Sequence, residues 1–193
     1  MNNSAIFPHR QELALRDSSY VAATTPGSGV VLTSATRTTY SATDPAIILR
    51  NMTLSARTVV PDFLRLVCTA AGTGTTNFHA AATISANDVY SEFGVQIGVV
   101  GTKNASARAS ISTVYVRDTS LTTNAPTNPR TIARKVLKTS ALAVGDEFTL
   151  RFGGESGDGV PAALHAGGTL LIYVWGSGMT AAPSFEVLLG WYE

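Results

Sequence analysis

Hydrophobic positions recur at every second residue in a series of short runs along this chain. Near its end, Phe185, Val187, Leu189 and Trp191 alternate with Glu186, Leu188, Gly190 and Tyr192. Period-two spacing puts the first four on one face of a strand. Residues 147–152 behave likewise, with Phe148, Leu150 and Phe152 pointing one way and Thr149 and Arg151 the other, and Phe78, Ala80, Ala82 and Ile84 form a third such series. Further strand-like runs lie at 46–54, 63–69, 93–100, 111–117, 131–137 and 169–175. The runs at 63–69 and 77–84 flank Gly72-Thr73-Gly74 and read as a hairpin with a Gly-containing loop. Helical periodicity is confined to single turns at 11–16, 87–93 and 141–144. There is no fixed-period repeat, which argues against a propeller or solenoid. Turn signals at short spacing predict an all-β fold, an antiparallel β-sandwich of jelly-roll type, with an immunoglobulin-like sandwich as the alternative.

Residues 1–45 have a different texture: no long apolar run, and a high density of Ser, Thr, Ala and Gly. They read as an extended N-terminal arm leading into a domain over residues 46–193, with Ile6, Phe7 and Pro8 as an anchoring plug for a partner surface. A short β-like piece, Val30-Val31-Leu32, follows the Pro26-Gly27 turn signal. The reading of this segment as the first strand or two of the domain itself stays open.

Composition narrows the function. Charged residues make up 14% of the 193, well below the roughly 25% of an ordinary soluble domain. A surface poor in charge and rich in Thr, Ser and Ala tolerates being covered, which points to an assembled state, with an ordinary monomeric β protein as the alternative. The net charge of +1 gives no basic stripe for nucleic acid. The local cluster of Arg130, Arg134, Lys135 and Lys138 reads as a solvated strand face or an intersubunit salt-bridge strip. As a regular strand it would put Arg130, Ile132, Arg134, Val136 and Lys138 on one face. Cys68 is the single cysteine, so no internal disulfide forms. It falls on the face of Leu64 and Leu66 and is expected to pack as a small hydrophobe. His9, Arg10, Glu12, Arg16 and Asp17 interrupt the N-terminus, which is not expected to act as a secretory signal. No run reaches the length of a membrane span.

The residue types that carry chemistry do not assemble into a known motif. His9, His79 and His165 lack metal-ligand spacing, and His79, between Phe78 and Ala80, is expected on an outer face. Asp146 and Glu147 are adjacent, so they diverge on a strand instead of facing each other as a glycosidase pair would. The loop Gly153-Gly154-Glu155-Ser156-Gly157-Asp158-Gly159 could offer oxygens to calcium, but it matches no calcium motif and reads as an exposed hairpin tip. Asn51-Met52-Thr53 and Asn104-Ala105-Ser106 fit the glycosylation sequon by chance. Trp175, Trp191, Tyr173 and Tyr192 are the candidates for a carbohydrate-stacking platform, with core packing as the ordinary reading. Catalytic residues, metal ligands and cofactors are therefore not expected.

Several segments taken together carry a resemblance: Asp62-Phe63-Leu64-Arg65-Leu66-Val67-Cys68-Thr69-Ala70-Ala71-Gly72-Thr73-Gly74, Ser112-Thr113-Val114-Tyr115-Val116, Arg134-Lys135-Val136-Leu137 with Val144-Gly145-Asp146-Glu147-Phe148, and Ala181-Ala182-Pro183-Ser184-Phe185-Glu186 with Leu189-Gly190-Trp191-Tyr192-Glu193. Over residues 46–193 the chain resembles small structural virion proteins of tailed bacteriophages. The resemblance implies a capsid decoration, or cement, protein: β-rich, a homotrimer or dimer, seated on the major capsid protein at the outside of an icosahedral head, and made in the host bacterial cytoplasm. It implies no direct role with nucleic acid or membrane. A jelly-roll protein that builds the shell itself, or a carbohydrate- or receptor-binding module of a phage tail, are the alternatives.

Overall fold

The computed structural model describes residues 19–52, 54–85, 94–101, 109–116, 126, 129–152, 160 and 162–193. Ile6, Phe7, Pro8, His9, the single turns at 11–16 and 87–93, the sequon at Asn104 and the 153–159 loop lie outside them. The described residues contain no helix and form twelve strands: β1 (Ser19–Ala23), β2 (Val30–Val31), β3 (Ile47–Asn51), β4 (Val60–Ala70), β5 (Asn77–Ser85), β6 (Val95–Ile97), β7 (Val99–Gly101), β8 (Ser112–Val116), β9 (Arg130–Lys138), β10 (Glu147–Arg151), β11 (Thr169–Ser177) and β12 (Ser184–Tyr192). Residues 141–144 are irregular instead of helical. All pairings are antiparallel. The first sheet runs β10-β4-β12-β1-β7, with β2 also on β12, and the second runs β6-β8-β3-β11-β5-β9. The two pack face to face as a β-sandwich.

The period-two runs supply its interior. Phe185, Val187, Leu189 and Trp191 of β12 and Leu64, Leu66 and Cys68 of β4 are buried on the inner face of the first sheet. Opposite them lie Leu170, Ile172 and Val174 of β11, Ile47 and Leu49 of β3, and Phe78, Ala80 and Ala82 of β5. Phe78 stacks on Phe185 at 5.1 Å between centroids and meets Phe148 at 5.7 Å, so an aromatic group ties the sheets together. Each such buried side chain contributes about 2 kcal/mol.

The segment expected to be an arm contributes to this sandwich. β1 is an interior strand of the first sheet, paired with β12 on one side and β7 on the other. Tyr20 and Ala22 enter the core, Tyr20 stacking on Trp191 at 6.2 Å. Two inward residues are too few to register as a hydrophobic run. Residues beyond β2 pass over the outside of the second sheet, where Gly176 donates its amide to the Arg37 carbonyl and Tyr173 its hydroxyl to the Ala42 carbonyl.

The expected hairpin between 63–69 and 77–84 does not form. β4 belongs to the first sheet and β5 to the second, and the Gly72–Gly74 segment is a corner that carries the chain across the sandwich. The connection of β11 to β12 crosses in the opposite direction. The two corners pack together: Thr180 donates its amide to the Thr73 carbonyl at 2.7 Å, Thr76 donates to the Ser177 carbonyl at 2.9 Å, and the Thr73 and Thr180 hydroxyls bond each other. Gly72, Gly74 and Gly178 all have positive φ. A glycine loop between two alternating runs fits either geometry, so local pattern alone does not separate a hairpin from a corner.

β9 also departs from a regular strand. Its pairing with β5 skips Ile132 and Leu137, two bulges that break the alternation. Ile132 and Ala133 are consequently both buried, and the expected common face of Arg130, Ile132, Arg134, Val136 and Lys138 is broken up.

At Gly72, φ is +64° and a Cβ would be driven into the Ala181 carbonyl, a backbone atom that cannot rotate away. Gly72→Ala is expected to cost about 2 kcal/mol or more in denaturant unfolding. A variant as stable as the parent would mean that the stacked corners yield easily.

Candidate functional site

The outer faces of the two sheets differ. On the second sheet, Ile48, Leu171, Tyr173, Ala81 and Trp175 form a second apolar cluster and are all buried. Tyr40 lies over them, 4.8 Å from Tyr173 and 5.8 Å from Trp175. His79 is on this outer face, as its alternation with buried Phe78 and Ala80 predicts. Its ring stacks on Trp175 at 5.2 Å, nearly parallel, and the Arg134 guanidinium sits 5.7 Å from the Trp175 ring centre. Burial, then the nearby Arg134 charge, hold the His79 imidazole below its ordinary value.

Among the described residues the outer face of the first sheet is partly exposed, and at one end the Gly27 amide donates to the Glu186 carboxylate. Cross-strand rows place Arg151, Phe63, Gly190 and Val21 side by side, then Thr149, Arg65, Leu188 and Ala23, then Glu147, Val67 and Glu186. Phe63, Val67, Leu188 and Val21 are each half-buried. The Phe63 ring lies across Gly190, where a Cβ would collide with it. Arg65 and Glu147 form an exposed ion pair at 2.7 Å, which solvent screens. The result is a mixed surface of half-buried apolar side chains bordered by a compensated pair of charges.

The other predicted candidates fall into the scaffold. Trp191, Tyr173 and Trp175 are 1%, 1% and 4% exposed, which leaves them no ring face for a sugar; Tyr192 is half-buried and its hydroxyl bonds Asp62 at 3.4 Å. Cys68 is buried and its thiol is pushed up by that burial. Asp146 and Glu147 diverge to separate partners, Lys138 and Arg65. The Asn51 amide donates to the Arg57 and Leu164 carbonyls from a fully buried position, so this sequon is structural. Among the described residues no group of three or more His, Cys, Asp or Glu side chains could hold a metal ion.

Two polar constellations were invisible in the sequence. The first surrounds Glu193, whose side chain is fully buried. Its carboxylate accepts from Ser110 Oγ, from Trp191 Nε1 at 3.0 Å, from the Ile111 amide at 3.1 Å and from Arg57 at 3.1 Å. It fastens the end of β12 to the segment entering β8 and to the loop after β3. The second is a cavity of about 310 Å³ lined by Ile84, Ser85, Arg130, Leu164, His165 and Gly168, among others. It brings together a cation and a histidine that lie far apart in the chain. Residue spacing carried no signal for either.

No protein family matches the chain, and no curated protein or solved structure matches it.

Burial raises the Glu193 carboxyl, but the bonds from Ser110, Trp191 and Ile111 outweigh it and hold the group below its ordinary 4.5. A lowered value contributes stability above the unfolded pKa, lost as the pH falls through the folded one. Glu193→Gln is expected to lower stability near neutral pH by about 2 kcal/mol, roughly 4–8 °C in Tm for a chain this size. Parent and variant should converge as the pH drops below 4.5; a constant gap on acidification would contradict a charged clasp. For His79, removing the neighbouring charge with Arg134→Gln should raise its titration midpoint, followed by NMR of the ring proton. A midpoint that stays put would show that Arg134 does not act on the ring.

Proposed function

We propose that this chain is a non-enzymatic structural protein that acts by covering other protein surfaces, and that it is a decoration protein of a phage head. The observation that carries the reading is the winding of the strands. Taken in chain order, β1, β3, β4, β5, β9, β10, β11 and β12 are eight strands. The first, eighth, third and sixth form β1-β12-β4-β10 in one sheet. The second, seventh, fourth and fifth form β3-β11-β5-β9 in the other. We read that order as two Greek keys wrapped into a jelly roll, with β2 between the first and second strands and β6, β7 and β8 between the fourth and fifth. Viral capsid proteins and lectins are among the users of this architecture. The lectin-like alternative would use Trp175, Trp191 or Tyr173, which here are buried, Trp191 in the sandwich core and Tyr173 and Trp175 in the cluster on the outer face of the second sheet.

The partly exposed outer face that the described residues of the first sheet present supports a contact role, as do the low charge and the resemblance of residues 46–193 to phage structural proteins. In this reading the protein is a homotrimer or dimer that straddles junctions of the major capsid protein. Ile6, Phe7 and Pro8 anchor to the shell, and the face around Phe63 and Leu188 is covered in the assembly. The mechanism is mechanical: each 1,000 Å² of apolar surface removed from water contributes on the order of 25 kcal/mol before the costs of association.

The test combines light scattering of the purified protein, electron microscopy, and co-sedimentation with phage heads that lack it. A discrete small oligomer that sediments with the heads is expected. The double variant Ile6→Ala, Phe7→Ala should lose co-sedimentation with its Tm unchanged. Closed particles formed by this chain alone would make it the shell protein, and a monomer that ignores the heads would remove the capsid reading.

A further inference from the structure

We propose that the cavity at the rim of the second sheet binds a carboxylate carried on a short apolar stem. Three neighbouring strands converge there. Arg130, the first residue of β9, lies directly across from Ile84 of β5, and Ser85 lies across from Thr169 of β11. The segment 163–168, which leads into β11, forms the opposite wall. Ile84, Leu164, Ala163 and Ala166 give the cavity an apolar lining, and its volume of about 310 Å³ is at the small end of ligand sites.

The wall is held firmly. Leu164 exchanges both backbone hydrogen bonds with Val59, the Gly168 amide donates to the His165 carbonyl at 2.8 Å, and the Gly168 carbonyl accepts from the Asn51 amide at 2.9 Å. Thr169 Oγ1 donates to the Ser85 carbonyl. With those backbone groups engaged, two side chains remain. Among the described residues, neither the Arg130 guanidinium nor the His165 ring has a hydrogen-bond or ion-pair partner, and no acidic side chain lines the cavity. A planar guanidinium fork matches the two oxygens of a carboxylate, and an imidazole N–H supplies a further donor. The apolar lining selects a stem of a few carbons over a bare inorganic anion. Two sources share this chemistry: a free small carboxylic acid, or an Asp or Glu side chain on an extended segment of another protein. The proposal does not depend on the assembly reading above.

The experiment is an NMR amide titration of the full chain with butyrate, with butylamine and butanol as controls, and with a capped Ala-Glu-Ala peptide as a second arm. Butyrate is expected to give saturable shifts confined to Ile84, Ser85, Arg130 and 164–168, and butylamine none. Arg130→Gln, at an exposed position, should keep its Tm and weaken binding about tenfold; Arg130→Lys should recover only part of that, and His165→Asn should weaken it less. A peptide that binds more tightly than butyrate would identify a protein segment as the occupant, whereas equal or weaker binding would identify a free acid. Absence of saturation by either carboxylate at tens of millimolar, an equal response to butylamine, or an undiminished affinity in Arg130→Gln would each overturn the proposal.

Discussion

The fold depends on one strand being enclosed on both sides. β11 is buried at every position from Thr169 to Gly176. Its even-numbered residues Leu170, Ile172 and Val174 belong to the sandwich core, and its odd-numbered Leu171, Tyr173 and Trp175 belong to the cluster on the outer face. A strand of this kind cannot lie at a sheet edge or leave one face to water. It therefore demands two neighbours and two covers. β3 and β5 flank it, the first sheet covers one face, and Tyr40 with the chain around Ala42 lies over the other. Among the described residues the partly exposed outer face of the first sheet is the complement of that arrangement, since the chain around Tyr40 and Ala42 lies on the opposite side.

The crossings between sheets follow from the same demand. β11 delivers its chain to β12 through one corner and β4 reaches β5 through another, and the two corners bond to each other through Thr73, Thr76, Ser177 and Thr180. Tight turns at positive φ let the chain change sheets in a few residues. The stacked Phe78 and Phe185 lie just inside these corners, on β5 and β12, the strands that leave them. Local turn chemistry and the inter-sheet core thus reinforce each other at one end of the sandwich.

Much of this was legible in the sequence because alternation reports directly on a two-faced strand. The inward set of β12, the amphipathic β10, the buried Cys68 and the outward His79 all follow from period two. Other features lie beyond a local pattern. The corner at Gly72 looks like a hairpin because both need a glycine turn, and only the burial of β11 decides between them. β1 offers just Tyr20 and Ala22 to the core. The bulges at Ile132 and Leu137 shift the register inside a run that appears regular. The Glu193 clasp and the Arg130–His165 cavity depend on which strand ends meet, information held by the topology and not by spacing. Even the asymmetry of the outer faces was hidden, since Leu188 and Leu171 look alike until one knows what lies above them.

The edges of the sandwich carry a consequence for how the protein meets others. β6 and β7 are three residues long, β10 is five with Glu147 and Arg151 exposed, and the one long edge, β9, is bulged twice and studded with Arg130, Arg134, Lys135 and Lys138. Short, charged or bulged borders are poor templates for another strand. Among the described residues the border strands are thus poor templates for generic pairing, and a neighbour has to read side chains. Encounters along these borders then discriminate by amino-acid identity, so one neighbour can be accepted where another is refused.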